Sequence, residues 1–176
     1  MKRIVIILFA IIILALIYKQ QKDELIIIPD TAIRLRIVPN SNSSFDQKMK
    51  IKVKSYLEND VYILLKNENN IDEARKKIKE TIPNIKENIN KIFDENNYEM
   101  KYSIDYGYNY FPEKKYRGVK YEEGYYESII INIGKAEGDN WWCVLFPNLC
   151  LIDLEEKDNM EYKLWITEKI TKYLNN

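Results

Sequence analysis

No histidine occurs among the 176 residues. That absence excludes Ser-His-Asp and Cys-His catalysis, and every metal site built on imidazole. Cysteine is almost as scarce. The chain has two, Cys143 and Cys150, with six residues between them. That spacing is not the Cys-x-x-Cys of a thioredoxin-like redox centre, and two thiols without histidine make a poor zinc site. No basic surplus exists either: 27 Lys and Arg balance 27 Asp and Glu. Lys2 and Arg3 belong to the extreme amino terminus, which leaves the remainder at 25 against 27, a net charge of −2. Nucleic-acid binders need the opposite balance. The chain therefore has no expected histidine-based catalytic centre, metal site or nucleic-acid partner; no cofactor or small-molecule substrate is expected of it either.

What is present begins with an apolar run, Ile4 to Tyr18, behind Lys2 and Arg3. As a helix it spans roughly 22 Å at about 1.5 Å per residue, short of a hydrocarbon core of about 30 Å. Lys2, Lys19 and Lys22 can snorkel from both ends and close the gap. The run also fits the apolar region of a secretory signal, although Leu16-Ile17-Tyr18-Lys19 supplies no small-residue cleavage site. An uncleaved anchor at residues 4–18 and a cleaved signal both place the body outside the cytoplasm. A buried core helix is the third reading. Residues 1–24 are thus read as leader and tether, and 25–176 as one exported domain, a length that supports a real core.

Along the body, Leu25 to Ile28 begins a strand that Pro29-Asp30 interrupts. Ile33-Arg34-Leu35-Arg36-Ile37 alternates apolar and basic, the period of a half-buried strand. Turn chemistry follows over Pro39 to Ser43. Ser44 with Gln47 reads as a capping box, opening a helix whose stripe is Phe45, Met49, Val53, Leu57, Val61 and Leu64. Its Lys48, Lys50, Lys52 and Lys54 read as a solvated face. Asn70 with Glu73 opens a second helix, striped by Ile71, Ala74, Ile78, Ile82, Ile85, Ile89 and Ile92. Pro83 inside it predicts a kink or restart.

From Tyr98 the period becomes two: Tyr98, Met100, Tyr102, Ile104, Tyr106, Tyr108 and Tyr110 share one face. The simplest account is a sheet face under helices; the alternative is a face partly exposed for binding. Tyr125 to Ile133 is a strand whose Ile129-Ile130-Ile131 predicts burial on both faces. Gly134 to Gly138 reads as a tight turn, and Met160 to Leu174 as a closing amphipathic helix. The sum is an α+β fold: one compact domain with a small, mostly antiparallel sheet covered by helices on one face.

The densest chemistry is Asn140-Trp141-Trp142-Cys143-Val144-Leu145-Phe146-Pro147-Asn148-Leu149-Cys150. Outside the cytoplasm an intramolecular Cys143–Cys150 disulfide is the default. It closes an eight-residue loop, worth about 2.5 kcal/mol in the chain-entropy model. It acts as a staple for an apolar loop, and the staple can also present Trp142, Phe146 and Pro147 to a partner with little ordering cost. Enzymatic readings are thin. No Ser-x-x-Lys occurs, and Glu122, Glu123, Glu127 and Asp139 could form a glycosidase pair only as any acid-rich chain could.

This block, with Tyr121, Gly124, Tyr126, Glu127, Gly134 and Gly138 before it, resembles the hallmark of stage II sporulation protein R. An earlier block is similar to that family's amino-terminal signature: Ile33-Arg34-Leu35-Arg36-Ile37, then Asn40-Ser41, Asp46-Gln47, Lys50 and Lys52-Val53. The resemblance implies a signalling protein of endospore formers rather than an enzyme. Such proteins are made in the forespore and exported to the space between its membrane and that of the mother cell. There they activate a membrane-embedded aspartic protease, which trims the sigma-E precursor. On that reading Trp141, Trp142, Phe146 and Pro147 contact the protease, with Arg34 and Arg36 as a second patch; the competing reading makes at least one Trp part of the core. Rival expectations are an extracytoplasmic cell-wall hydrolase and a non-catalytic, membrane-anchored inhibitor or assembly factor.

Overall fold

The computed structural model describes residues 9, 11–13, 26–65, 67–116, 119–147, 149 and 159–175. Most of the apolar run Ile4 to Tyr18 lies outside them, as do the tether and Cys150. No helix among the described residues is long and apolar enough to cross a membrane.

The strands are β1 (Ile26–Ile27), β2 (Ile33–Val38), β3 (Tyr102–Phe111), β4 (Lys114–Tyr116), β5 (Val119–Tyr121), β6 (Gly124–Ile133) and β7 (Trp141–Phe146). The helices are α1 (Ser44–Leu65), α2 (Ile71–Glu95) and α3 (Asn159–Leu174). The main sheet runs β3-β6-β2-β7, and a smaller one runs β1-β5-β4. The fold is α+β, with a mixed sheet rather than the mostly antiparallel one expected. β2 lies parallel to β6, and β1 parallel to β5. Between β2 and β6 the chain builds two helices and the strands β3, β4 and β5, so the return to β2 is a long crossover that permits the parallel pairing.

Helix boundaries follow capping chemistry. Ser43, one residue before the expected cap, starts α1: its Oγ accepts from the Asp46 amide at 3.1 Å. The Gln47 amide group does not reach back to Ser44. It donates instead to the Ser41 carbonyl and to Asn42 Oδ1. Asn70 caps α2, its side chain accepting from the Asp72 and Glu73 amides, and those two carboxylates suit the positive end of the helix. Pro83 neither ends nor restarts α2, which runs unbroken through it.

The two helices cover one face of the sheet. Met49, Val53, Leu57 and Val61 of α1 meet Ile78, Ile85, Ile89 and Phe93 of α2 over Ile33, Leu35, Ile37, Ile129, Ile131 and Ile133. Leu65, rather than Leu64, completes the buried stripe of α1. The tyrosine stripe splits. Tyr102 and Tyr106 pack on this core, whereas Tyr108 is 71% exposed and Tyr110 47%. The cause is the length of α2. Its Arg75, near its first turn, already binds Glu127, the carboxylate that accepts from Tyr106. Tyr98 itself lies before β3 begins.

The opposite face is not open, which corrects the half-buried reading of β2. Arg34 on that face is 3% exposed. α3 covers part of it, with Ile166 and Ile170 packed against Val144, Ile28, Ala32 and Leu149. Ile129 to Ile131 are buried on both faces, as expected.

Candidate functional site

The two signature blocks, about a hundred residues apart, meet in one hydrogen-bonded clasp. The turn Pro39–Ser43 and the loop 134–139 face each other. The Lys135 amide donates to Asn40 Oδ1 at 3.0 Å, and the Asp139 amide to Asn42 Oδ1 at 2.6 Å. Backbone bonds join Glu137 to Asn40 and Gly138 to Pro39. Behind the turn, Asp46 accepts from Asn40 at 2.9 Å, Ser41 at 2.5 Å and Tyr98 at 2.5 Å. Burial alone pushes that carboxyl up. The hydrogen bonds from Ser41, Tyr98, Asn40 and Ser43 outweigh burial and hold it at about 2.

Lys50 corrects the expectation of a solvated lysine face, because it is buried. Its Nζ donates to Gln47 Oε1 at 2.6 Å and to the Asp139 carbonyl at 2.8 Å. Burial holds its ammonium below the ordinary value. Asp139 opposes that, while Lys114 and Lys54 add to it. Lys50 thus ties α1 to the residue that leads into β7.

Two glycines make the clasp possible. Gly134 has φ +58°, and a Cβ there stands 2.3 Å from Asn40 Oδ1. A Cβ on Gly138 stands 2.3 Å from the Ser41 carbonyl oxygen. Both approaches need a residue without a side chain.

The clasp delivers β7 to the sheet margin with its residues alternating between faces. Trp141 joins the helix-covered core, with Lys54 Nζ 5.5 Å from its ring centroid. Trp142 lies on the opposite face, edge-on to Phe111 at 5.1 Å. Arg36 stands 5.3 Å from its ring and Lys114 5.4 Å. Arg34, two residues from Arg36 on the same face, stacks 3.3 Å over Tyr126. Both tryptophans are half-buried. Phe146 is 1% exposed and meets Tyr173 of α3 edge-on at 5.3 Å. Pro147 is buried as well, behind a cis peptide bond. The structure therefore brings Trp142, Arg34 and Arg36 together, sets Trp141 on the reverse face, and gives Phe146 and Pro147 to the interior. No described cysteine is a free thiol.

Among the described residues no group of His, Cys, Asp and Glu could hold a metal. Three of the four carboxylates weighed as a hydrolytic pair have side-chain partners, and Asp139 bonds through its backbone. Glu127 binds Arg75 and Tyr106, Glu122 binds Lys120, and Glu123 accepts from Tyr110.

The model of the family described as Stage II sporulation protein R matches residues 29–156. The chain belongs to that family. A curated member, Stage II sporulation protein R of Bacillus subtilis (strain 168), is 34% identical over 158 residues, covering 86% of this chain and 70% of the relative. No solved structure matches. The two blocks on which the resemblance rested are the two halves of the clasp and the strands it joins.

Sequence reasoning missed three contributors. Tyr98 was assigned to the strand face, yet it is the buried donor to Asp46. Phe111, just past the tyrosine stripe, carried no signal, yet it is the ring between Arg34, Arg36 and Trp142. Lys114 carried no signal, since its place beside the Trp142 ring is a long-range contact.

Proposed function

We propose that this chain is an intercompartmental signal of endospore formation. It is exported from the forespore, remains outside the cytoplasm as a secreted or anchored protein, and activates the mother-cell membrane aspartic protease that processes the sigma-E precursor. Family membership supports the sporulation role. One observation carries the ligand reading: a tryptophan pair held at a sheet margin by a rigid clasp, with cations on both sides. Trp142 and Arg36 are the foremost contacts, with Arg34 behind them and Trp141 on the reverse face. Phe146, Pro147 and a Cys143–Cys150 disulfide act by holding the segment's shape. To activate, the chain must bind the active state of the protease more tightly than the idle one.

The test is reconstitution. The full chain is co-expressed with the protease and the precursor in a non-sporulating host, with export verified. Processing that requires this chain supports the proposal. Processing without it, or none with it, overturns the proposal. Incubating the full chain with peptidoglycan separates the wall-hydrolase rival, which predicts released fragments.

A further inference from the structure

Two guanidiniums on the α3-side face have too few partners. Arg34 Nε and Nη2 and Arg36 Nε are buried, and none has a hydrogen-bond partner among the described residues. Rings supply what compensation there is. Arg34 stands 3.3 Å from the Tyr126 centroid and 5.4 Å from that of Phe111; Arg36 stands 5.1 Å from Phe111 and 5.3 Å from Trp142. At 3.3 Å from the ring centroid the Arg34 guanidinium lies on the ring face of Tyr126, whose hydroxyl donates to the Glu122 carbonyl. Burial holds both guanidiniums below their ordinary basicity. Cation–π contact offsets only part of the desolvation of a buried charge.

More cations crowd the same margin. Lys114 lies 5.4 Å from the Trp142 ring, and Lys54 lies 5.5 Å from Trp141. Glu58 pairs with Lys54 at 3.4 Å, but no salt bridge joins Arg34, Arg36 or Lys114 to a described carboxylate. A fold with no use for these charges would be served at least as well by apolar residues of similar size.

We infer that the corner formed by Trp142, Arg36 and Lys114, backed by Arg34, receives a carboxylate side chain from an acidic segment of the partner protein. This rests on the signalling reading and gives its contact a chemistry. Charge complementarity selects an acid. Guanidiniums two residues apart on one strand face present adjacent donors for a planar carboxylate. The half-buried Trp142 ring, backed by the enclosed Phe111, suits the methylene stem of Glu or Asp. A membrane surface is the poorer fit, because lipid headgroups are met by exposed lysines rather than by an arginine sunk among rings. β7 is an edge strand, so an incoming chain can reach Trp142 from the sheet margin.

The experiment titrates the full chain calorimetrically with a terminally capped hexaglutamate peptide, with inorganic phosphate, and with phosphatidylglycerol vesicles. The peptide should bind. Arg36→Gln and the exposed Lys114→Gln should each weaken it, the first by at least about tenfold, and Arg36→Lys should weaken it less than Arg36→Gln. Lys91→Gln, on the outer face of α2, should leave it unchanged. Failure of the peptide to bind, or equal binding by Arg36→Gln and Lys114→Gln proteins that melt as the wild type does, overturns the inference. Arg36-dependent binding of phosphate or vesicles in preference to the peptide also overturns it. The processing assay separates the two layers. If wild type drives processing and Arg36→Gln does so equally, the acid-reading corner falls and the signalling role stands. If the peptide binds through Arg36 while wild type drives no processing, the corner stands and the signalling role falls.

Discussion

Tyr98 donates its hydroxyl hydrogen to Asp46 across 52 positions of sequence, at 2.5 Å and in a buried setting. This bond joins the end of the helix pair to the start of α1, where the turn Pro39–Ser43 begins its grip on the loop before β7. The Tyr98 ring is fixed from two sides, edge-on to Phe93 at 4.8 Å and to Phe45 at 5.4 Å. Phe45, which the helical stripe assigned to the core, is 46% exposed and works instead as a wall for Tyr98.

Acid should weaken the fold through Asp46. Its folded value of about 2 lies below the ordinary 3.8, so its stabilisation is fully present above the ordinary value. It is lost as pH falls through the folded one. The difference amounts to about 2 kcal/mol. Urea midpoints measured from pH 6 down to pH 2 should decline between about pH 4 and pH 2. Asp46→Asn should lower stability at pH 6 by about 2 kcal/mol and flatten that part of the decline. An unchanged acid limb in the variant would remove Asp46 from the explanation.

Gly138→Ala should be far more damaging than Gly107→Ala. At 138 the new methyl would meet the Ser41 carbonyl at 2.3 Å and Pro39 Cγ at 2.7 Å. Backbone and a proline ring have little room to give, so a loss of about 3 kcal/mol is expected. At 107 nothing lies within 4 Å, and a change within about 1 kcal/mol, in the stabilising direction, is expected. Thermal melts of the two proteins side by side decide the matter.

Periodicity made the helices, β3, β6 and the main core legible, because burial on one face imposes a repeat that residues such as Met49, Val53 and Leu57 display directly. Pairing was not legible. Nothing in Ile33–Val38 distinguishes a parallel neighbour from an antiparallel one, and the β2–β6 pairing followed only from the crossover. Arg34 and Arg36 misled for a physical reason: an alternating basic face looks solvated unless the rings that cover it, Phe111 and Tyr126, are known to lie above it. Asn40, Ser41, Asp46, Gly134 and Gly138 were marked by family resemblance. Their joint role as a clasp depended on long-range contacts that no local pattern carries.

The proposed Cys143–Cys150 disulfide is testable by thiol counting. Unfolded in the absence of reductant, the secreted or anchored protein should show no reactive thiol. Reduction should lower its stability by about 2.5 kcal/mol, the loop-closure entropy of so short a ring. Cys143→Ser should reproduce that loss. Two reactive thiols in freshly exported protein would leave the pairing without support, and shape would then rest on the clasp alone.

Phe146→Ala and Trp142→Ala should both abolish precursor processing, but by different routes. Phe146 is fully enclosed, packed with Ile33 and Leu145 in the main core and edge-on to Tyr173. Its truncation should cost about 3 to 5 kcal/mol, so lost processing should follow lost protein. Trp142 is only half-buried, at an edge strand, with Phe111 as its one ring neighbour among the described residues. Its truncation removes a contact surface while the helix-covered core is untouched. Export and melting temperature should therefore stay close to wild type as processing falls, with binding weaker by at least about tenfold, as for an aromatic anchor. Quantifying exported protein, melting temperature and processed precursor in the same cultures separates the two routes. A Trp142→Ala protein that is exported, folded and fully active would remove Trp142 from the contact surface.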